Sequence, residues 1–152
     1  MGQTTTRKIR PLTEKDIPAV MLLDGEAFPK AWPLAAWEEE VVKHGDTYLC
    51  LEVNNVLAGY VGFWWVLDEV QITRVAVGKN YRQQGLGTFL MVQAKKLAEE
   101  MGSHFMTLEV RESNRAARSL YEKLGFKNLG IRPHYYENKE NAVMMEWHFK
   151  QG

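Results

Sequence analysis

Cysteine is almost missing from this chain of 152 residues. Cys50 stands alone, which rules out an intramolecular disulfide and fits a reducing compartment. It sits in the apolar run Tyr48-Leu49-Cys50-Leu51, so a small buried hydrophobe is expected there. Net charge is also lacking: 19 lysines and arginines balance 19 aspartates and glutamates, leaving no global field to gather nucleic acid. No stretch approaches the roughly 18 apolar residues of a membrane span, and the N-terminus has no signal-peptide core. Gly2-Gln3-Thr4-Thr5-Thr6 fits a loose myristoylation pattern, but such short coincidences are common. A cytoplasmic, unanchored protein is therefore expected. His44, His104, His134 and His148 are scattered without ligand spacing, so no metal site is expected. Repeats, linkers and low-complexity segments are absent. The length suits one domain over residues 1–152, with a loose start at 1–6 and enough chain to bury a core.

What is present is concentrated between Asp68 and Met101. Val70 to Val77 interleaves aliphatic and polar residues, as a strand with two unlike faces would. A polar turn, Gly78 to Tyr81, leads to Arg82-Gln83-Gln84-Gly85-Leu86-Gly87. Beyond it, Leu86, Leu90, Ala94, Leu97 and Met101 recur at helical spacing until Gly102, a residue suited to a left-handed stop. A strand feeding a glycine-rich turn and a helix start is an anion-binding device. The first N–H groups of a helix have no internal partner, and glycine lets a phosphate approach the backbone. A P-loop would need lysine after Gly87, and a dinucleotide fingerprint would need glycine at Leu90; neither is there. Glycines serving only tight strand–helix packing remain the plainer alternative.

The rest of the chain places this unit in an α/β (α+β) fold. A short strand at Lys8–Leu12 precedes a helix that Thr13 and Asp16 open as a capping box. Pro29 to Pro33 breaks it, and a second helix carries Leu34, Trp37, Val41 and Val42, with Pro33 as its first residue. Strands are expected at Thr47–Val53 and Val56–Leu67, joined at Asn54-Asn55, a pair tolerant of positive φ. Phe105–Val110 is a further strand, made parallel to Val70–Val77 by the helical crossover. Ser113 or Asn114 caps a helix that Gly125 closes. Phe126–Ile131 and Ala142–Phe149 finish a mixed sheet of six or seven strands, with helices on both faces.

The sextet Arg82 to Gly87 resembles the Arg/Gln-x-x-Gly-x-Gly/Ala signature of the GCN5-related N-acetyltransferases (GNAT). The chain is also similar to their ribosomal-protein-alanine branch in Asp68-Glu69, Ala76-Val77, Leu108 to Arg111, Asn114, Leu120-Tyr121-Glu122, Leu124-Gly125-Phe126 and Arg132 to Tyr136. The resemblance implies acetyl-CoA as co-substrate, with no metal. Its pyrophosphate would lie on Arg82, Gln83, Gln84, Gly85, Leu86, Gly87 and Thr88, and its pantetheine arm along Val75, Ala76 and Val77, where two parallel strands splay. Asn114 would also contact it. The same resemblance puts Phe28, Trp32, Tyr135 and Tyr136 at the acceptor. Trp32 matches the branch, whereas Ala31 and Pro33 replace a proline and a hydroxyl residue.

Acetyl transfer to an amine needs a neutral nucleophile, a stabilised oxyanion and a protonated leaving thiol. Alternation puts Thr107, Glu109 and Arg111 on one strand face, and a carboxylate in mid-strand needs a partner, water or a function. A salt bridge is the plain alternative; the resemblance implies that Glu109 is the general base. Asn114, Arg118 and Tyr121 share one helix face, and Tyr121 is the candidate general acid. The implied activity is acetylation of a protein N-terminus, a ribosomal one, by a monomer or weak dimer without direct nucleic-acid or membrane binding. The alternatives are a small-amine or lysine acetyltransferase and, from another class, a non-catalytic coenzyme A-binding module.

Overall fold

In the computed structural model, which describes residues 6–149, seven strands form one mixed sheet in the order β1-β2-β3-β4-β5-β7-β6. The strands are β1 (Arg7–Pro11), β2 (Tyr48–Val53), β3 (Val56–Val66), β4 (Glu69–Val77), β5 (Phe105–Arg111), β6 (Lys127–Arg132) and β7 (Ala142–His148). Four α-helices accompany them: α1 (Ile17–Ala27), α2 (Leu34–His44), α3 (Leu86–Glu100) and α4 (Arg115–Lys123). The strand count meets the upper end of the expected range. The myristoylation-like segment falls, up to Thr5, outside the described residues. Among the described residues no helix is long and apolar enough to cross a membrane.

The contacts divide the chain into two compact units, Met1–Trp64 with Thr73–Ala94, and Trp65–Ile72 with Lys95–Gly152. In the first, β1, β2 and β3 pair antiparallel. The β2–β3 turn uses Asn54 and Asn55 at φ 50 and 68, the left-handed pair a two-residue hairpin demands. Tyr48 and Gly62 face each other across that hairpin, and a Cβ on Gly62 would lie 2.2 Å from the Tyr48 ring. Glycine there makes room for a fully buried tyrosine. The core gathers Leu12, Ile17, Val20, Leu23, Trp37, Tyr48, Cys50, Tyr60 and Ala76. Cys50 is buried and its thiol is pushed up to about 12 by desolvation, in keeping with its reading as an inert hydrophobe.

The expected capping box closes a short turn, Glu14–Asp16, that leads into α1: the Thr13 N–H donates to Asp16 Oδ2 at 2.8 Å. Arg10 grips the same carboxylate at 2.7 Å and Glu52 at 2.6 Å, tying β1 to the helix entry and to β2. Helix α2 differs from expectation in two respects. Pro33 is its N-cap rather than its first residue, and its carbonyl accepts from Ala36 and Trp37, so its missing N–H costs nothing there. Its inward face also carries Glu40 instead of Leu34 and Val42, which are exposed. Glu40 is buried because its carboxylate accepts the Trp64 indole N–H at 3.0 Å. Thr47 belongs to a short turn ahead of β2, its hydroxyl donating to the Phe63 carbonyl at 2.6 Å.

In the second unit, β4 and β5 pair parallel from Glu69↔Phe105 to Gln71↔Thr107, as the crossover requires. On its other side β5 pairs antiparallel with β7 along its whole length, and β7 pairs with β6. Helices α3 and α4 end as the glycines foretold. At the end of α3 the Gly102 N–H (φ +82) donates to Glu99 and the Ser103 N–H to Ala98. At the end of α4 the Gly125 N–H (φ +99) donates to Glu122 and the Phe126 N–H to Tyr121. Each is the paired-bond stop that a left-handed residue makes possible.

Candidate active site

The first unit holds the glycine-rich loop. A short turn at Lys79–Tyr81 follows β4, with the Tyr81 N–H donating to the Gly78 carbonyl. The Arg82 Nε–H reaches back to the Val77 carbonyl at 3.2 Å, and Gln83 and Gly85 take φ of 63 and 75. The first helical bond of α3 is Phe89 N–H to Gly85 C=O, so the N–H groups of Leu86, Gly87 and Thr88 precede any intrahelical acceptor. Arg82, Gln83, Gln84 and Gly85 are exposed, while Leu86 is buried and anchors the helix start with Leu90 and Met91. Three N–H groups without an intrahelical acceptor, the dipole end of a fifteen-residue helix and an exposed arginine make this a chemically suitable place for an anion.

A Cβ built on Gly85 would meet nothing within 4 Å. Protein packing therefore does not require glycine there; the left-handed φ favours it. Gly85→Ala should cost about 1–2 kcal/mol in stability. It should raise the KM for acetyl-CoA by about tenfold, or 1.4 kcal/mol. Denaturant melts and initial-rate kinetics separate the two effects, and an unchanged KM would remove the loop from the cofactor site.

Val75, Ala76 and Val77 close β4. Gly59 lets β3 approach this end closely, since a Cβ there would lie 2.8 Å from the Ala76 carbonyl oxygen. Nearby is a cluster that the sequence reading missed. Asp24 of α1 is fully buried and takes the Tyr60 hydroxyl at 2.7 Å, Arg74 Nε at 2.6 Å and the Trp32 backbone N–H at 2.8 Å. The Arg74 guanidinium lies 4.0 Å from the Phe28 ring centroid and 4.6 Å from that of Trp32, and donates to the Lys30 carbonyl at 3.0 Å. Phe28 and Trp32 are thus both core-packed and grouped around one cation. The signal was available: Asp24 shares the inward face of α1 with Ile17 and Val20, and Arg74 lies in β4 between the buried Ile72 and Ala76. Opposite charges each at a core position need one another.

The second unit holds the groups suited to proton transfer. Exposure along β5 alternates as expected, placing Thr107, Glu109 and Arg111 on the wetter face. Thr107 donates to Glu69 Oε1 at 2.9 Å, which engages one oxygen of that carboxylate. Glu109 lies 3.4 Å from Arg132 Nη1, a partner half exposed to water. Such a long, wet pair contributes only about 0–1 kcal/mol, so the arginine can yield to a substrate cation. Tyr135 adjoins Glu109, and its hydrogen bond to that carboxylate, then burial, push its phenol up. Tyr136 is pushed up to about 12 by burial and then by the Glu109 charge. Burial, followed by the neighbouring Tyr136, raises the Tyr121 phenol further. All three phenols are protonated at neutral pH, the state a proton donor requires.

Backbone and loop bonds fix these side chains. Tyr121 sits one turn before the end of α4, its ring edge-on to Phe126 at 5.8 Å. Asn114 caps α4, its Oδ1 accepting the Ala117 N–H at 3.1 Å, so that oxygen is committed to the helix. The loop after β6 is held by Arg111, which bonds Asn138 at 3.1 Å and Glu140 at 3.3 Å and lies 4.1 Å over the Tyr136 ring. The Ser113 N–H donates to Glu140 at 2.8 Å. Sequence reasoning did not assign Arg111 this anchoring role, though Glu137 and Glu140 in the loop ahead of β7 were its visible partners. Among the described residues no group of three or more His, Cys, Asp or Glu could hold a metal ion.

Residues 17–126 match the profile of the Acetyltransferase (GNAT) family. The chain belongs to this family of acetyltransferases. GNAT enzymes use acetyl-CoA as the acetyl donor. The chain is 35% identical over 144 residues to the ribosomal protein bS18-alanine N-acetyltransferase of Escherichia coli K12, covering 90% of this chain and 94% of that protein. It is 36% identical over 143 residues to a Bacillus subtilis protein to which the same activity is provisionally ascribed, covering 93% and 95%. The crystal structure of the ribosomal-protein-S18-alanine N-acetyltransferase from Escherichia coli superposes with a TM-score of 0.87 at 31% identity, covering 97% of this chain and 96% of that one. This GNAT chain therefore carries the expected mixed sheet and helices.

Proposed function

We propose that residues 1–152 act as one acetyltransferase domain that moves the acetyl group of acetyl-CoA to the N-terminal amine of a ribosomal protein. The observation that carries this is the identity of about a third, along nearly the whole chain, to relatives named for the alanine N-terminus of bS18. The loop 82–87 and the N–H groups of Leu86, Gly87 and Thr88 bind the diphosphate, with Val75 to Val77 along the pantetheine and Asn114 beside it. Phe28, Trp32, Tyr135 and Tyr136 shape the acceptor site. The amine lone pair forms the new C–N bond at the thioester carbon as the C–S bond breaks. Glu109, through water, takes the proton from nitrogen, and Tyr121 supplies one to the departing sulfur.

Acidity supports an α-amine over lysine. With pKa values near 7.7–8.0 and 10.4, a neutral lysine at pH 7 costs about 3.5 kcal/mol more to deliver than a neutral N-terminus. One carboxylate with a water suits the smaller task. Ala-initiated tetrapeptides with free N-termini should be acetylated, and the same peptides bearing a blocked N-terminus and an internal lysine should not. Equal rates on both sets would replace this reading with a lysine or small-amine acetyltransferase. Coenzyme A binding without turnover of any amine would leave a binding module.

A further inference from the structure

We infer that Arg74 is a positioning residue for acceptor selectivity, a post around which the Phe28–Trp32 loop is wound; this rests on the proposed placement of the acceptor at that loop. Four residues converge on it. Its Nε and Nη2 meet the two oxygens of buried Asp24 at 2.6 and 3.3 Å, Nη2 also meets the Lys30 carbonyl, and the Phe28 and Trp32 rings lie over the guanidinium. Asp24 in turn holds the Trp32 N–H. Between Pro29 and Pro33 the chain has no helix or strand of its own. Its shape is set by a guanidinium rooted in β4, the strand that ends at Val75, Ala76 and Val77. One plane thereby fixes two rings, one carbonyl and, through Asp24, one N–H.

Lysine cannot substitute for that geometry, because an ammonium is a point charge with no face to lie between two rings. Arg74→Lys keeps the ion pair and loses the plane. It should raise the KM for an Ala-initiated tetrapeptide by about tenfold, since small misplacements of a positioning loop are amplified in the rate. The KM for acetyl-CoA should stay within about twofold in the same variant, because the diphosphate loop is untouched. Phe28→Leu, which removes one ring and leaves the ion pair, should move the same parameter in the same direction by less. In the unaltered protein, the Trp32 amide should exchange with deuterium at least about a hundredfold more slowly than an open loop amide. An unprotected Trp32 amide overturns the inference, and so does an equal rise in both KM values or no change in either. If the unaltered enzyme ignores peptide N-termini, the acceptor assignment fails by itself. The exchange measurement and the KM for whichever amine is used then decide the role of Arg74.

Discussion

Glu109→Gln should lower kcat/KM for a peptide acceptor by about two to three orders of magnitude at pH 7, the usual scale of a lost general base. The glutamine keeps the shape and the packing on β5, where Glu109 faces Met144 across the ladder, so the fold should be unaffected. What disappears is the acceptor for the proton that an attacking amine must shed. The deficit should therefore depend on pH in a stated direction. At pH 6.5 nearly all of an α-amine with pKa near 7.7–8.0 is protonated and the base is most needed. Above pH 8.5 bulk water has already supplied the neutral amine, so the variant should regain much of the gap. A flat ratio of wild type to variant across that range would mean that the carboxylate only fixes Arg132 and Tyr135. Unchanged rates at every pH would remove it from the chemistry altogether.

Asp24→Asn should destabilise the protein by about 3–5 kcal/mol, the cost of leaving a buried cation without its counter-charge. The amide has nearly the same volume but offers one acceptor oxygen where four donor groups from three residues now converge, and Arg74 is left charged with only 13% of its side chain in water. In a domain of this size each kcal/mol moves Tm by about 2–4 °C, so the melt should fall by about 6–20 °C. Urea unfolding should show the midpoint moving with little change in slope. The exposed Glu39–Lys43 pair of α2 is the natural comparison: breaking it should not shift the midpoint measurably. A small loss on Asp24→Asn would show that the cluster is wet in solution and that the ring contacts, not the charges, hold the loop.

These two sites also mark where the sequence could be read and where it could not. The strand, glycine-rich turn and helix start around Gly85 were legible because their requirements are local, all falling within about 20 residues. Gly102 and Gly125 announced their helix ends for the same reason, and Thr13 with Asp16 announced a helix beginning. Glu109 was legible through period-two alternation, which held along β5. The Asp24–Arg74 cluster spans 50 residues and joins two elements whose separate periodicities give no register between them. The same holds for Arg111 and the loop at Glu137 to Glu140. Helix α2 misled because its inward glutamate is paid for by an indole 24 residues away, a partner that only the folded hairpin brings near.

The Tyr121 ring lies against Phe126 in the same short span where the Phe126 N–H closes α4 onto the Tyr121 carbonyl. The phenol's direction is thus dictated by how a helix stops. Side-chain changes nearby can be absorbed so long as the backbone count from 121 to 126 is kept. Adding or deleting a single residue there would swing the hydroxyl around the helix axis by about 100°. Lineages carrying this fold should thus vary at positions 122 to 124 while keeping the left-handed glycine at 125 and never altering the length of the span.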